Sequence, residues 1–157
     1  MSNECLVFFQ GFLLVADDIM DNSEMRRGKQ CWYKRVGMTA INDSFLLESC
    51  VFELLKTHIG NEKYYVKCLE LFLDVTRKTE FGQALDLEVE SLDFKEYSME
   101  RYDSIVIYKT AHYSFYLPVA LAMHLAGRDS DLELESARKI LIRIGHYFQV
   151  FLLFRSI

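Results

Sequence analysis

The 157-residue sequence has one proline, Pro118, and seven glycines. With so few helix breakers, there are few places where a regular helix must stop. It also lacks any run of the roughly 20 apolar residues needed to cross a bilayer. The longest apolar stretch, Cys5 to Ala16, contains Gln10 and reads as a core helix rather than a membrane span. There is no CxxC pair: Cys5, Cys31, Cys50 and Cys68 lie far apart, as expected of free, mostly buried thiols in a reducing compartment. No basic segment opens the chain, since Glu4 sits where a secretory start would need positive charge. The expected location is therefore cytoplasmic. Basic residues are also in deficit, with 18 Lys and Arg against 23 Asp and Glu and a net charge of −5. That balance excludes a general nucleic-acid binder, which needs a basic surface against phosphates. A local basic site for a small anion stays open.

The composition is globular, 51% hydrophobic and 26% charged, and is read as one domain over residues 1–157. The apolar period is helical almost throughout. Helices are expected from Leu6 to Asp21, Thr39 to Ile59 and Glu62 to Glu88, with Gly60 and Asn61 as a stop. Within the last of these, Tyr65, Leu69, Phe72, Leu73 and Thr76 form the apolar stripe. Ser98 opens a further helix, Met99 to Lys109, which runs into Thr110 to Leu125 with a kink or split at Pro118. Gly127 ends it, and a final helix covers Leu132 to Phe154. Residues 22–35 read as a polar connection. The fold class is all-α.

The most informative stretch is "FFQGFLLVADDIMDNSEMRRG", residues 8–28. Asp17 and Asp21 are four apart and share a helix face, and Asp18 lies about 100° round from Asp17. Acids at a helix C-terminus oppose the macrodipole, and three together repel unless something positive sits among them. A hard divalent cation bound through oxygen suits that need, and magnesium typically uses one or two carboxylates together with substrate phosphates. The spacing does not fit an EF-hand, because Ile19 falls at the third loop position and Gly28 at the twelfth. Arg26 and Arg27 follow directly, and guanidinium groups grip phosphate oxygens in pairs. Acids for a metal beside bases for phosphate describe a diphosphate site.

"LVADDIMDNSEMRRGKQCWY" closely resembles the first aspartate-rich region of the polyprenyl diphosphate synthases, in particular the farnesyl branch of eukaryotes. The resemblance continues through "AINDSFLLES", "TEFGQALDLE", "RYDSIVIYKTAHYSFYLPVALAMHLAG" and "ARKILIRIGHYFQ", covering about residues 6–150. It implies part of an isoprenoid-synthase helical bundle around a central cavity. The implied activity condenses isopentenyl diphosphate with dimethylallyl or geranyl diphosphate through an allylic cation, giving farnesyl diphosphate. By the same resemblance Asp17, Asp18 and Asp21 are ligands of Mg²⁺, with Mn²⁺ as a substitute. Arg26 matches the arginine on the allylic diphosphate and Arg27 the one on isopentenyl diphosphate. Gln10, Gln83, Asp86 and Tyr113 match residues lining the substrate cavity. Lys109 and Thr110, with Gln149, match groups beside the developing cation. Phe12 and Leu13 stand where the floor of the prenyl pocket sets product length. Farnesyl makers usually have two aromatics there; here one is aliphatic. His112 stands where relatives usually carry phenylalanine.

The same comparison of motifs leads to an expectation of incompleteness. The family carries helices ahead of the first aspartate motif, with a Gly-Lys…Arg set, and a second DDxxD after "FQ". This sequence reads "FQVFLLFRSI", with no acid after Glu135. The tail 151–157 has no family counterpart. Such a chain is expected to be inactive alone, with apolar faces exposed at Val7, Phe9, Leu152 or Phe154. The family's homodimers suggest a homodimer or a pairing with a full-length chain, and a non-catalytic partner of a longer synthase is the alternative reading.

Overall fold

The computed structural model describes residues 3–89, 93 and 96–155. It divides into two compact units, Met1–Tyr65 and Val66–Ile157. Residues 156–157 of the tail lie outside the description, and the backbone before them continues the last helix to Arg155.

In the first unit, helix α1 (Asn3–Met20) packs along α3 (Ala40–Ile59). Buried positions on α1 fall at Cys5, Phe9 and Phe12, and on α3 at Ala40, Ser44, Val51, Leu55 and Ile59. These recur at helical spacing, so each helix buries one stripe. Phe9 and Phe12 meet edge to face with centroids 5.2 Å apart. The Ser44 hydroxyl donates to the Phe12 carbonyl at 3.0 Å, a polar tie across an apolar seam. Phe9 therefore does not belong to an exposed face as the sequence suggested, whereas Val7 does, at 65% exposure. Leu152 and Phe154 have side chains outside the description. The polar connection holds more order than its composition implied. It contains strands β1 (Met25–Arg26) and β2 (Lys29–Gln30) and most of the short helix α2 (Trp32–Val36), which a 3₁₀ turn (Gly37–Thr39) follows. Gly60 N–H bonds back to Lys56 O at 2.9 Å and ends α3.

The second unit begins with α4 (Tyr65–Val89), which starts later than expected, after a turn in which the Glu62 N–H donates to Ile59 O and the Tyr65 N–H to Glu62 O. Its buried stripe is Cys68, Leu71, Phe72, Val75, Thr76, Thr79, Gly82 and Gln83. Leu73, counted into the stripe from sequence, is half exposed. Ser98 caps α5 (Met99–Ile105), its hydroxyl accepting the Arg101 N–H at 3.2 Å. The chain then stays helical without a break, but over Val106–Tyr116 it widens to π pitch before resuming as α6 (Leu117–Leu125). Leu117 N–H reaches His112 O, five residues back. Pro118 falls in the first turn of α6. A proline ring at α pitch collides with the carbonyl four residues earlier and has no N–H to give. Widening the preceding turns accommodates it, so Pro118 widens the helix rather than splitting it. Gly127, with φ of 66°, follows α6, and α7 (Asp131–Arg155) packs back on the π segment.

Two glycines let helices approach this wide segment. A Cβ at Gly82 would fall inside the contact distance of the Lys109 backbone nitrogen and 2.5 Å from Lys109 Cα. A Cβ at Gly145 would lie 2.6 Å from Ala111 Cβ. Gly82→Ala is expected to lower stability by about 3 kcal/mol, the upper end for overpacking, because backbone rather than a side-chain tip blocks the methyl; urea denaturation reads it.

His112, on the same segment, is buried between Tyr108 and Tyr116, with ring centroids 6.1 and 6.2 Å away. Its Nδ1 is buried with no hydrogen-bond partner. Burial, with Lys78 and Arg138 nearby and Asp74 opposing them, holds the ring neutral and pushes its pKa down to about 4. Above about pH 6.5, the free value for histidine, the ring is neutral folded and unfolded, so stability is full. Between there and about pH 4 the unfolded chain takes a proton that the folded one refuses, so stability falls with pH, by up to roughly 3 kcal/mol. His112→Phe is expected to flatten that part of the pH–stability profile, measured by urea midpoints from pH 7 down to pH 4.5.

Candidate functional site

The acidic end of α1 is organised by a hairpin. The helix stops at Met20, and Asp21, just beyond it, still donates its N–H to Asp17 O at 2.9 Å. Asn22, at φ 51°, turns the chain left-handed, and Ser23 N–H reaches Asp18 O at 3.0 Å. Strand β1 then pairs antiparallel with β2, Arg26 opposite Lys29. Arg27 and Gly28 form the two-residue turn, at φ 52° and 76°. Positive φ at both positions makes a type I′ turn, whose twist matches that of the strands. Glycine takes that conformation without strain and arginine does not.

The hairpin returns Arg26 over the helix end. Its Nε donates to Asp18 Oδ1 at 2.7 Å, and a terminal nitrogen donates to Asp17 Oδ2 at 2.8 Å. Asp18 is buried, Asp17 and Arg26 are part-buried, and Asp21 is exposed. The buried Cys31 thiol also bonds to the Asp18 carboxylate; burial, and then that neighbour, push its pKa up. Arg26 thus supplies the positive charge that carboxylates at a helix C-terminus require. The adjacent arginines part company: Arg26 enters the acids, and Arg27 sits exposed at the hairpin apex. On α1, Gln10 and Leu13 are half-buried and Phe12 is buried against Phe9.

Among the described residues, no group of three or more His, Cys, Asp and Glu converges as a metal site. Arg26 occupies the space between Asp17 and Asp18 and holds one oxygen of each. The donor set still has the right chemistry, since carboxylate oxygens are what magnesium selects.

The remaining predicted residues belong to the second unit. Lys109 Nζ donates to Asp86 Oδ2 at 2.5 Å, joining the π segment to α4. Gln149 Nε2, on α7, donates to Thr110 Oγ1 at 3.3 Å. Gln83 is buried on α4 three residues before Asp86, and Tyr113 is half-buried on the π segment. Asp86, Lys109 and Gln149 line a cleft of about 320 Å³, with Arg101 and Tyr102 on its α5 wall and Val89 on α4. Sequence reasoning missed Arg101 and Tyr102. Their one signal was position, about two turns ahead of Lys109 on a single helical run. No helix of the described residues is long and apolar enough to cross a membrane.

A family model described as polyprenyl synthetase matches residues 2–151. The chain belongs to the polyprenyl synthetase family. It is 56% identical to the farnesyl pyrophosphate synthase of Gallus gallus, over 93% of this chain and 41% of that protein. To the farnesyl pyrophosphate synthase of Saccharomyces cerevisiae it is 50% identical, over 93% of this chain and 43% of the other. To that of Homo sapiens it is 49% identical, over 93% and 36%. The chain therefore spans about two fifths of the length of these relatives. The helical architecture agrees with the all-α fold expected from sequence.

Arg26→Ala is expected to destabilise the first unit by about 2 kcal/mol, because two charge-assisted bonds are lost and the buried Asp18 carboxylate keeps its charge. Arg26→Lys restores the charge but not the fork, so it should recover only part of that loss in thermal denaturation.

Proposed function

We propose that this chain carries prenyltransferase residues of isoprenoid synthesis, of the kind that join isopentenyl diphosphate to dimethylallyl or geranyl diphosphate to make farnesyl diphosphate. The observation that carries this reading is identity of about one half to farnesyl pyrophosphate synthases across 93% of the chain. Asp17, Asp18 and Asp21 would hold Mg²⁺ or Mn²⁺, with Arg26 releasing oxygens that it grips in this structure. Bound there, the metal would supply positive charge to a leaving diphosphate. Arg26 and Arg27 are proposed to bind diphosphate oxygens as donors. Lys109 stands beside Thr110, and the oxygen dipoles of Thr110 and Gln149 can face a developing cation. Gln10, Gln83, Asp86 and Tyr113 are proposed to line the substrate site, with Phe12 and Leu13 as its floor.

A second reading is a non-catalytic chain that pairs with a longer synthase, or with itself. It is favoured by the apolar face that α7 leaves exposed, with Ile140, Ile144, Tyr147 and Phe148 between 42% and 72% accessible. Their spacing places them on one side of the helix.

The test is incubation of the pure chain with Mg²⁺, geranyl diphosphate and labelled isopentenyl diphosphate. Turnover to a labelled fifteen-carbon diphosphate, falling by about 10²-fold or more in Asp17→Asn, supports the first reading. Absence of turnover, with co-purification of a full-length synthase, establishes the second reading instead. Metal binding has its own readout: Mg²⁺ at about 100 times its Kd should raise stability by roughly 2.7 kcal/mol, and Asp17→Asn with Asp18→Asn should abolish that gain.

A further inference from the structure

The proposed site depends on Gln149 reaching Thr110, yet that hydrogen bond is long, at 3.3 Å, near the limit of useful geometry. A slide of α7 by one residue, about 1.5 Å of rise, or a modest rotation would break it. Three contacts cluster on the same turn of α7. Gly145 seats against Ala111, and Phe148 meets Phe115 with centroids 5.5 Å apart. Both are apolar; they set how closely α7 approaches the π segment and leave its rotation and register soft. The third contact is directional: His146 Nε2 lies 2.7 Å from Asp103 Oδ1 on α5, with the His146 ring edge-on to Tyr102 at 6.3 Å. His146 and Gln149 are three apart, so they share a helix face and move together.

The pair is exposed, with side chains 37% and 46% accessible, and polar pairs so exposed add little to stability. Its geometry has a different consequence. We propose that His146 and Asp103 are positioning residues: their bond clamps α7 to α5 at the cleft and sets the register that places the Gln149 amide on Thr110. This rests on the reading that Thr110 and Gln149 belong to the reacting site, but its test uses no substrate, so failure of that reaction and failure of the clamp are separate results.

The probe is the nuclear Overhauser contact between the Gln149 side-chain amide and the Thr110 methyl in the folded chain. The expected result is a contact present in the wild type, lost in Asp103→Ala and His146→Ala with the melting transition little changed, and restored in the charge-reversed double variant Asp103→Lys with His146→Glu. A merely structural role would move the melting transition rather than the Gln149–Thr110 contact alone. Single variants that keep the contact overturn the proposal, as does a double variant that folds without it. Should the single variants fail to fold, a folded double variant showing the contact supports the clamp, and an unfolded one overturns it.

Discussion

Backbone-to-backbone approach at the widened helix is the constraint on which the second unit rests. Residues 106–116 carry the Lys109–Thr110 pair and His112, and they are bounded by Gly82 on α4 and Gly145 on α7. Neither glycine is placed for helix propensity, since glycine costs about 1 kcal/mol against alanine in a helix interior. Each is there because a methyl group would occupy space already taken by the neighbouring backbone or by Ala111. Close approach in turn brings Asp86 within reach of Lys109 and Gln149 within reach of Thr110. The π pitch contributes as well. Buried positions fall at 106, 111, 112 and 116, steps of five, one and four residues that an α-helix would spread off one face.

In the first unit the corresponding constraint is electrostatic. Asp17 and Asp18 sit where the helix dipole disfavours acid, and Arg26 lies across both. The hairpin that delivers Arg26 turns on positive φ at Arg27 and Gly28. Two residues read together as one clamp thus have different situations, one in the acids and one at an exposed apex. A cation thus already holds one oxygen of each of two carboxylates proposed to hold metal.

Much of this was legible in the chain. Helix positions followed from apolar period, and Ser98 and Gly127 marked ends because capping and left-handed geometry are local chemistry. The family was legible because motifs such as "DDIMD" with "RRG" carry charge patterns that few other arrangements need. Less legible were the hairpin within residues 22–35, whose strands are too short for alternation to register, and the π segment. Pro118 announced a disturbance, but whether a helix breaks, kinks or widens depends on what packs around it. The face of α4 was also misjudged at Leu73, because several apolar residues compete for burial and only neighbours decide which wins.

Helical content and the order of site motifs were thus determined by residue types and spacing alone, because each depends on interactions within a few turns of chain. Tertiary structure decided which oxygens Arg26 occupies, that Lys109 answers to Asp86 across 23 residues and Gln149 to Thr110 across 39, and that His112 is buried neutral. Those outcomes depend on distances between separate elements. Such distances are set by shape, here by where a glycine lets one helix come near another, and no local pattern encodes them.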